Sequence, residues 1–551
     1  MTNDMTGIKR VWATLDPFFE SGPVLGRKVA NVRFLDALLN RDSFDEYHFF
    51  LNDRGISDAL RKHLEHTRPR LVASGRIRLR DRRELPSALA DTHYHCFHQS
   101  DCILWQPHLI RLRNQVARDI FPVTGTIHSL SYADFGEAFL RHLQPGTTGR
   151  DAIVCTSSAG RTAVENFFLY LRENHGLSRK RFPAPELALI PLGVDASAMT
   201  PPRTRQGDMV RLLVFGRISH YSKMDLLPLL RALHRAGAEG IDLSGVELVL
   251  AGWVDDNDDF TPALLDLATN IGLRLRLERR PDEQRKAELF READIFVSIA
   301  DNPQETFGIT LLEAGAFGLP VVASDYDGYR DIVVHGETGL LVPTLGPART
   351  DDLDPLAPLL FDNQYHLLLA QRTAVDVPGL ASALIRLIRF PELRQAMGMA
   401  GRKRVEAHFS WDSVVEQHEI LWDRLREIPV DREALRNAAQ PQQIPYGRVF
   451  GHYASHQLGP DIVLTTGRTG HAFYRGRDFP LLYSGLVNFI DPEAARKLAF
   501  LARKPVRCEE LVRKLREIFP NIAAQQAENH ILWAVKHDIL EVVAPEENTG
   551  F

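Results

Sequence analysis

The chain has 551 residues, 44% of them hydrophobic and 25% charged, which is too long for one core and ordinary in composition for a globular enzyme of roughly two to four domains. A formal net charge of −5 gives no global attraction to nucleic acid, so a nucleic-acid partner is not expected. Four scattered cysteines, Cys96, Cys102, Cys155 and Cys508, form no CxxC pair; neither a disulfide framework nor a zinc site follows, and a reducing compartment fits.

The first residues lack the apolar core of a signal peptide, and no run approaches the roughly 18 apolar residues of a membrane span. The expectation is a cytoplasmic protein whose membrane contact is at most peripheral, at the inner face. Short apolar runs then alternate with amphipathic segments, the pattern of a parallel sheet with crossover helices. Strands are predicted at KRVWATLD, DEYHFFLN, HYHCFHQ, CILWQP, FPVTGTIH and AIVCTS, with ELALIPLGVD closing the set. A helix is predicted over residues 28–40, where Val29, Val32, Leu35, Leu38 and Leu39 share one face. The polar stretch ASAMTPPRTRQGDM, with two prolines, reads as an interdomain linker.

A second alternating block runs through VRLLVFGR, VELVLAGW, RLRLERR, DIFVSIA and LPVVASD. An insertion near residues 344–378, rich in Leu, Pro and Asp, precedes a helical stretch over 380–401, and a helix over 412–427 has the length to cross back onto the first domain. The remainder differs: TTGRTGHAFYRGRDFPLLY predicts a hairpin, helices follow over 492–503, 508–518 and 523–537, and ILEVV is a short strand. The predicted fold class is α/β, with two Rossmann-like doubly wound domains facing a cleft. The first spans residues 1–195 and the second 208–410, followed by a crossover helix over 411–428. A small α+β accessory module over 429–551, similar to a truncated winged helix, completes the chain and would bind a partner or self-associate.

The most informative segment is DNPQETFGITLLEAGAFGLPVVASDYDGYRDIVVHGETGLLV. Glu305 and Glu313 stand eight positions apart around Phe307-Gly308, where a loop becomes the helix ITLLEAGA. A helix N-terminus offers unpaired N–H groups and about half a positive charge, a seat for a diphosphate, and glycine lets phosphates approach without a Cβ clash. Eight helical residues rise about 12 Å, less where they are loop, which is the span from ribose to hexose in a nucleotide sugar. One glutamate can then reach the sugar hydroxyls while the other clamps the ribose diol; the bland alternative is a buried helix with solvated acids.

This pattern resembles the E-x7-E signature of glycosyltransferase family 4, the retaining glycosyl transferases group 1 with the two-domain GT-B fold, over about residues 8–427. The resemblance implies that Glu305 contacts the donor sugar, that Phe307, Gly308 and Ile309 offer backbone amides, that Thr310 approaches the phosphates and that Glu313 holds the ribose. It also implies roles for Arg217 and Lys223, just past the strand RLLVFG, in neutralising the diphosphate; solvated surface cations are the alternative. The turn Ser21-Gly22-Pro23-Val24-Leu25-Gly26 occupies the place of the family's glycine-rich loop, through Gly22 and Gly26, but lacks a Gly-Gly pair and could be an ordinary strand-to-helix turn. His128, at the end of the strand TGTIH, matches the family's histidine near the reacting side of the donor sugar, or is a structural histidine.

Other patterns are weighed against this reading. Asp325-Tyr326-Asp327 spells a DxD metal motif of another glycosyltransferase fold, but falls where the family has a Gly-rich turn. The run over residues 255–259 lacks the spacing of a calcium loop, and His93, His95, Cys96 and His98 do not converge on a strand. The basic segment from Arg68 to Arg83 is either a docking face for an anionic membrane surface or acidic polymer, or a solvated edge strand. The expected activity is metal-independent, same-face sugar transfer, without cofactor, from a nucleotide diphosphate-sugar to a hydroxyl of a glycan, glycolipid or polysaccharide precursor. An epimerase of the same architecture, which would need no acceptor, and an inactive scaffold are the alternatives.

Overall fold

A computed structural model of the chain describes residues 9–19, 26–201, 209–254, 260–487 and 489–543. Residues 1–440 form one compact unit and residues 441–551 a second. The break falls beyond position 429 because the short helix Arg432–Arg436 stays with the first unit, where Arg432 donates to the Ala117 carbonyl at 3.0 Å.

The first unit holds two parallel sheets. Strands β1 (Val11–Thr14), β2 (Glu46–Leu51), β3 (Ile77–Asp81), β4 (Cys96–Gln99), β5 (Val123–Ile127), β6 (Asp151–Cys155) and β7 (Glu186–Leu189) lie in the order β3-β2-β1-β4-β5-β6-β7. Strands β8 (Val210–Ile218), β9 (Val246–Val254), β10 (Arg274–Arg279), β11 (Ile295–Ser298), β12 (Val321–Ser324) and β13 (Gly339–Val342) lie in the order β10-β9-β8-β11-β12-β13. Both are doubly wound, Rossmann-like sheets. Inner strands such as VWAT, DAIVC and IFVS are buried at every residue, as parallel strands covered by helices on both faces require. Each sheet changes direction once, between β1 and β4 in the first and between β8 and β11 in the second, and the carboxyl ends of those strands are where such folds bind ligands.

Both sheets end on an arginine-rich edge strand, β3 (IRLRD) and β10 (RLRLER), whose charges discourage edge-to-edge pairing. In β3 and its flanks the cations are matched internally. Arg76 pairs with Asp42 at 2.7 Å, Arg78 with Glu46 at 2.9 Å, Arg80 with Glu84 at 3.0 Å and Arg83 with Asp81 at 2.7 Å. Arg68 meets Asp36, and Arg82 donates to the Leu15 carbonyl. Within the segment from Arg68 to Arg83, β3 is therefore an edge strand with local counter-charges.

Departures from the sequence reading are local. CILWQP is a turn leading into the helix Gln106–Val116, not a strand; Pro107 suits the first helical turn, and the buried Gln106 amide donates to the carbonyls of Val123 and Ala152. The helical stretch over 380–401 is two helices, Val377–Arg389 and Pro391–His408, broken where Pro391 forbids continuation. The insertion over 344–378 carries a small ribbon of β14 (Thr344–Leu345) and β15 (Ala374–Val375) and the helix Asn363–Ala370.

The two connections between the Rossmann-like domains run side by side. Val194 donates to the Phe409 carbonyl at 2.8 Å, and a Cβ on Gly193 would lie 2.8 Å from the Trp411 ring. The helix Trp411–Glu427 then lies on the first domain, burying Val415 and Trp422 among Trp12, Phe34, Leu38 and Phe44. The Trp422 indole N–H donates to Thr124 Oγ1 at 2.9 Å.

The second unit pairs β16 (Val463–Thr466) antiparallel with β17 (Val506–Arg507) and β18 (Leu540–Val542), under the helices Pro492–Leu501, Cys508–Ile518 and Ala524–Lys536. The hairpin predicted from TTGRTGHAFYRGRDFPLLY does not form. Both edges of β16 are already paired, and the chain turns instead into the helix Arg468–Tyr474. No helix among the described residues is long and apolar enough to cross a membrane.

Because Trp422 carries the crossover helix into the first core and satisfies Thr124, Trp422→Ala is expected to lower stability by about 3–5 kcal/mol. Chemical denaturation of the full chain measures this, and an unchanged midpoint would contradict the anchoring role.

Candidate functional site

The site begins at the helix Ile309–Ala316. Gly308 precedes it with φ +107°, and a Cβ there would stand 2.6 Å from the Tyr329 ring, so both backbone and neighbour demand glycine. No side chain caps the helix, which leaves its leading amides to an outside ligand. The Thr310 hydroxyl beside them is buried without a hydrogen-bond partner. The Phe307 side chain belongs to the core, so that residue offers the site only its backbone; Ile309 is half-buried. Of the eight steps from Glu305 to Glu313 only those from Ile309 onward are helical, so the helical rise is about 6 Å and extended loop supplies the rest.

The fold brings Glu305, Lys223 and Arg217 to one place. The Glu305 carboxylate contacts the Lys223 ammonium and accepts from the Tyr329 hydroxyl at 3.2 Å. Tyr329 is fully buried and is hydrogen-bonded to Ser298 Oγ at 2.7 Å. Lys223 is held by a turn in which its amide donates to the Ser219 carbonyl at 3.1 Å, and Arg217, in β8, donates to the Ser222 carbonyl at 3.3 Å. Burial, and then the Arg217 guanidinium, push the Lys223 ammonium below the usual lysine range, while contact with Glu305 favours its charged form. Burial likewise lowers Arg217, which Tyr132 of the first domain partly offsets. Two cations are thus crowded at the uncapped tip of a helix.

Glu313 is buried at the other end. Its Oε1 accepts from Lys286 Nζ at 2.6 Å; burial raises the carboxyl and Lys286 opposes that shift. Two further acids line the region. Asp301 and Asp327 are each pushed up to about 7 by burial, and Asp327 takes a left-handed conformation with φ +47°. Asp325 is tied to Arg330 at 2.6 Å. Among the described residues no three histidine, cysteine or acidic side chains cluster as metal ligands. His93 faces Asp119, His95 faces Asp423 and His98 bonds to Thr124, so these histidines diverge.

His128 lies in the first domain at the end of β5. Its Nε2 reaches the Ser100 carbonyl at 3.0 Å and Asn31 Oδ1 at 3.1 Å, and burial pushes it down to about 4, so it is neutral. It makes no hydrogen bond to Glu305, Lys223 or Arg217. Gly22 lies outside the described residues, as do residues 255–259; Gly26 opens the helix Gly26–Arg41.

Several residues at the site carried no local signal. Asp16, just beyond β1, accepts from the Ser100 amide at 2.9 Å and the Ser100 hydroxyl at 3.1 Å, and burial pushes its carboxyl up to about 6. Ser157 Oγ donates to the Thr306 carbonyl at 2.7 Å across the cleft, and Asp331 sits on the N-terminus of the helix Ser158–His175, accepting from the Ser158 amide at 2.5 Å. From the insertion, His366 Nε2 meets Ser131 Oγ at 2.9 Å, and Gln304, beside Glu305, lies 3.3 Å from its Nδ1.

Comparison with known proteins shows what the segment around this site is similar to. Residues 202–348 match the family described as glycosyl transferases group 1. The matched segment lies in the second of two Rossmann-like domains, and it is there that the chain is similar to group 1 glycosyltransferases. Among its relatives are the phosphatidyl-myo-inositol mannosyltransferase of Mycolicibacterium smegmatis, 29% identical over 41% of this chain and 49% of that protein. The D-inositol 3-phosphate glycosyltransferase of Mycobacteroides abscessus is 34% identical over 31% of this chain and 36% of that protein. The chain thus spans about half or less of the curated relatives it matches. A solved structure of Anabaena HepE with UDP and glucose covers 76% of this chain and 100% of its own, at 14% identity and a TM-score of 0.48.

Asp16 supplies a stability test. A carboxyl raised from 3.8 to about 6 favours the folded state least once both states are ionised, so its contribution falls as pH rises from about 4 through 6. Asp16→Asn, which still accepts from Ser100, is expected to be more stable than the parent by about 3 kcal/mol at pH 7.5, with the gap closing towards pH 4. Denaturation across pH checks this, and a constant gap would contradict the burial argument.

Proposed function

We propose that the chain is a retaining glycosyltransferase that moves a sugar from a nucleoside diphosphate-sugar to a hydroxyl of a glycan, glycolipid or polysaccharide precursor. The observation that carries the reading is the meeting of Glu305 with Lys223, beside Arg217, at an uncapped helix tip where the Thr310 hydroxyl has no partner. A diphosphate fits there: the helix amides and Thr310 donate to its oxygens, and the two cations neutralise it. Glu305, oriented by Lys223 and Tyr329, accepts hydrogen bonds from the donor sugar. Glu313, oriented by Lys286, accepts from the ribose diol. Relatives named for transfer involving phosphatidyl-myo-inositol and inositol 3-phosphate support a hydroxyl-bearing acceptor.

In this mechanism the acceptor oxygen bonds to the anomeric carbon as the bond from that carbon to the phosphate oxygen breaks, on the same face. The acceptor proton passes to the departing phosphate. Arg217, Lys223 and the helix amides stabilise the charge that grows on the leaving group. The contacts of Ser157 with Thr306 and of Ser158 with Asp331 hold the first domain over the donor segment and exclude water from it. Neutral His128 and Asp16 stand at the strand ends of the first domain, on the acceptor side.

Kinetics with a panel of nucleotide sugars test the assignment. Glu305→Ala is expected to lower kcat by roughly a hundredfold or more with the fold kept, whereas Arg217→Ala mainly weakens affinity for the free nucleoside diphosphate. Near-normal turnover of the first, or unchanged affinity in the second, would falsify the site. Since Arg217 and Lys223 supply the charge a divalent ion otherwise would, activity is expected to survive EDTA; loss of turnover restored by added Mg²⁺ or Mn²⁺ would show that a metal takes part.

A further inference from the structure

The second unit carries a feature the transferase reading does not use. Between the helix Arg468–Tyr474 and the helix Pro492–Leu501 the chain runs RGRDFPLLYSGLVNF without a strand partner. Leu482 and Leu486 turn inward and pack on the core of that unit. Phe479, Leu481 and Tyr483, at alternate positions, are 62%, 68% and 66% exposed, and Val487 and Phe489 are 65% and 55% exposed. Two leucines therefore pin the loop while its larger apolar groups stand in solvent. Burying them against the unit would have been favourable, so their exposure points to a surface outside it.

The charges name that surface. Arg475 and Arg477 precede the apolar run, are exposed, and make no ion pair among the described residues, unlike the arginines in and beside β3. Over residues 444–489 the charged side chains are four arginines, Arg448, Arg468, Arg475 and Arg477, against Asp461 and Asp478. Arg448 sits within a second exposed aromatic group, where the rings of Tyr446 and Phe450 are 5.5 Å apart and those of Phe450 and Tyr453 5.4 Å. Apolar side chains flanked by unpaired guanidiniums suit an interface that is hydrocarbon within and anionic at its rim.

We infer that the loop over residues 475–487 docks the protein on an anionic lipid surface, with Phe479, Leu481 and Tyr483 entering the acyl boundary and Arg475 and Arg477 meeting lipid phosphates. This is independent of the catalytic reading, and it assigns membrane contact to the second unit rather than to the segment Arg68 to Arg83.

Co-sedimentation of the full chain with vesicles tests it. Binding is expected to phosphatidylcholine vesicles containing phosphatidylglycerol, to weaken with salt, and to be far lower on phosphatidylcholine alone. Phe479→Ser with Leu481→Ser, and separately Arg475→Glu with Arg477→Glu, should each reduce affinity roughly tenfold or more at an unchanged thermal midpoint. Arg76→Gln with Arg78→Gln should leave binding intact. The proposal is overturned by no binding to either vesicle, by equal binding to neutral vesicles, or by loop variants that bind as the parent does. It is equally overturned if light scattering shows a dimer that the loop variants dissolve, since a second copy would then be the occupant.

Discussion

The contact between Glu305 and Lys223 is the constraint around which the candidate site is arranged. An ion pair so little exposed is costly to desolvate, and breaking one by removing a single partner is worse than never having it. Here the cost is compounded by Arg217, a second cation beside the first, and by the positive end of an uncapped helix. One carboxylate faces several positive features. The excess is what a diphosphate would neutralise, so the same electrostatics that burden the free protein favour the ligand-bound one.

Topology is what makes that concentration of charge attainable. Arg217 lies in β8, Lys223 follows it, and Glu305 follows β11, the strand beside β8 where the sheet reverses. In the first domain Asp16 follows β1 and Ser100 follows β4, the corresponding reversal. Two domains of one architecture thus bring their switch points into a shared cleft. The parallel passage of residues 193–194 against 409–411 and the anchoring of Trp422 hold the two sheets in register around it.

What could be read from the sequence was what the sequence holds locally. The alternation of strands and helices, and the run Glu305, Gly308, Thr310 and Glu313, are short-range patterns in which neighbours in sequence are neighbours in space. Tyr329, Lys286, Asp16 and His366 carry no such signal, because each acquires its place through a residue tens or hundreds of positions away. The errors have the same origin. CILWQP has the composition of a strand, yet Gln106 is drawn inward by carbonyls on two other strands. The hairpin after β16 fails because β17 and β18, distant in sequence, already occupy both edges. The arginines around β3 look like a cationic face until Asp42 and Glu46 are seen opposite them.

Burial of acids extends the same logic beyond the ion pair. Asp16, Asp301 and Asp327 are all raised by desolvation, and Asp327 adds a left-handed backbone conformation that only its surroundings sustain. None of these is what a stable core would select: apolar residues of similar size would avoid the penalty. Asp301 and Asp327 lie just past strands of the second domain and Asp16 just past β1 of the first, positions where such folds bind ligands. Raised to about 7, Asp301 and Asp327 take up a proton far more readily than a free carboxyl, and a protonated carboxyl can donate to a hydroxyl or phosphate oxygen where an ionised one would repel it. Glu305 and Glu313 differ in being paired with a lysine: Lys223 contacts Glu305, and Lys286 opposes the upward shift that burial imposes on Glu313. All of these acids bear the cost of burial, and what separates them is which of them a lysine can reach.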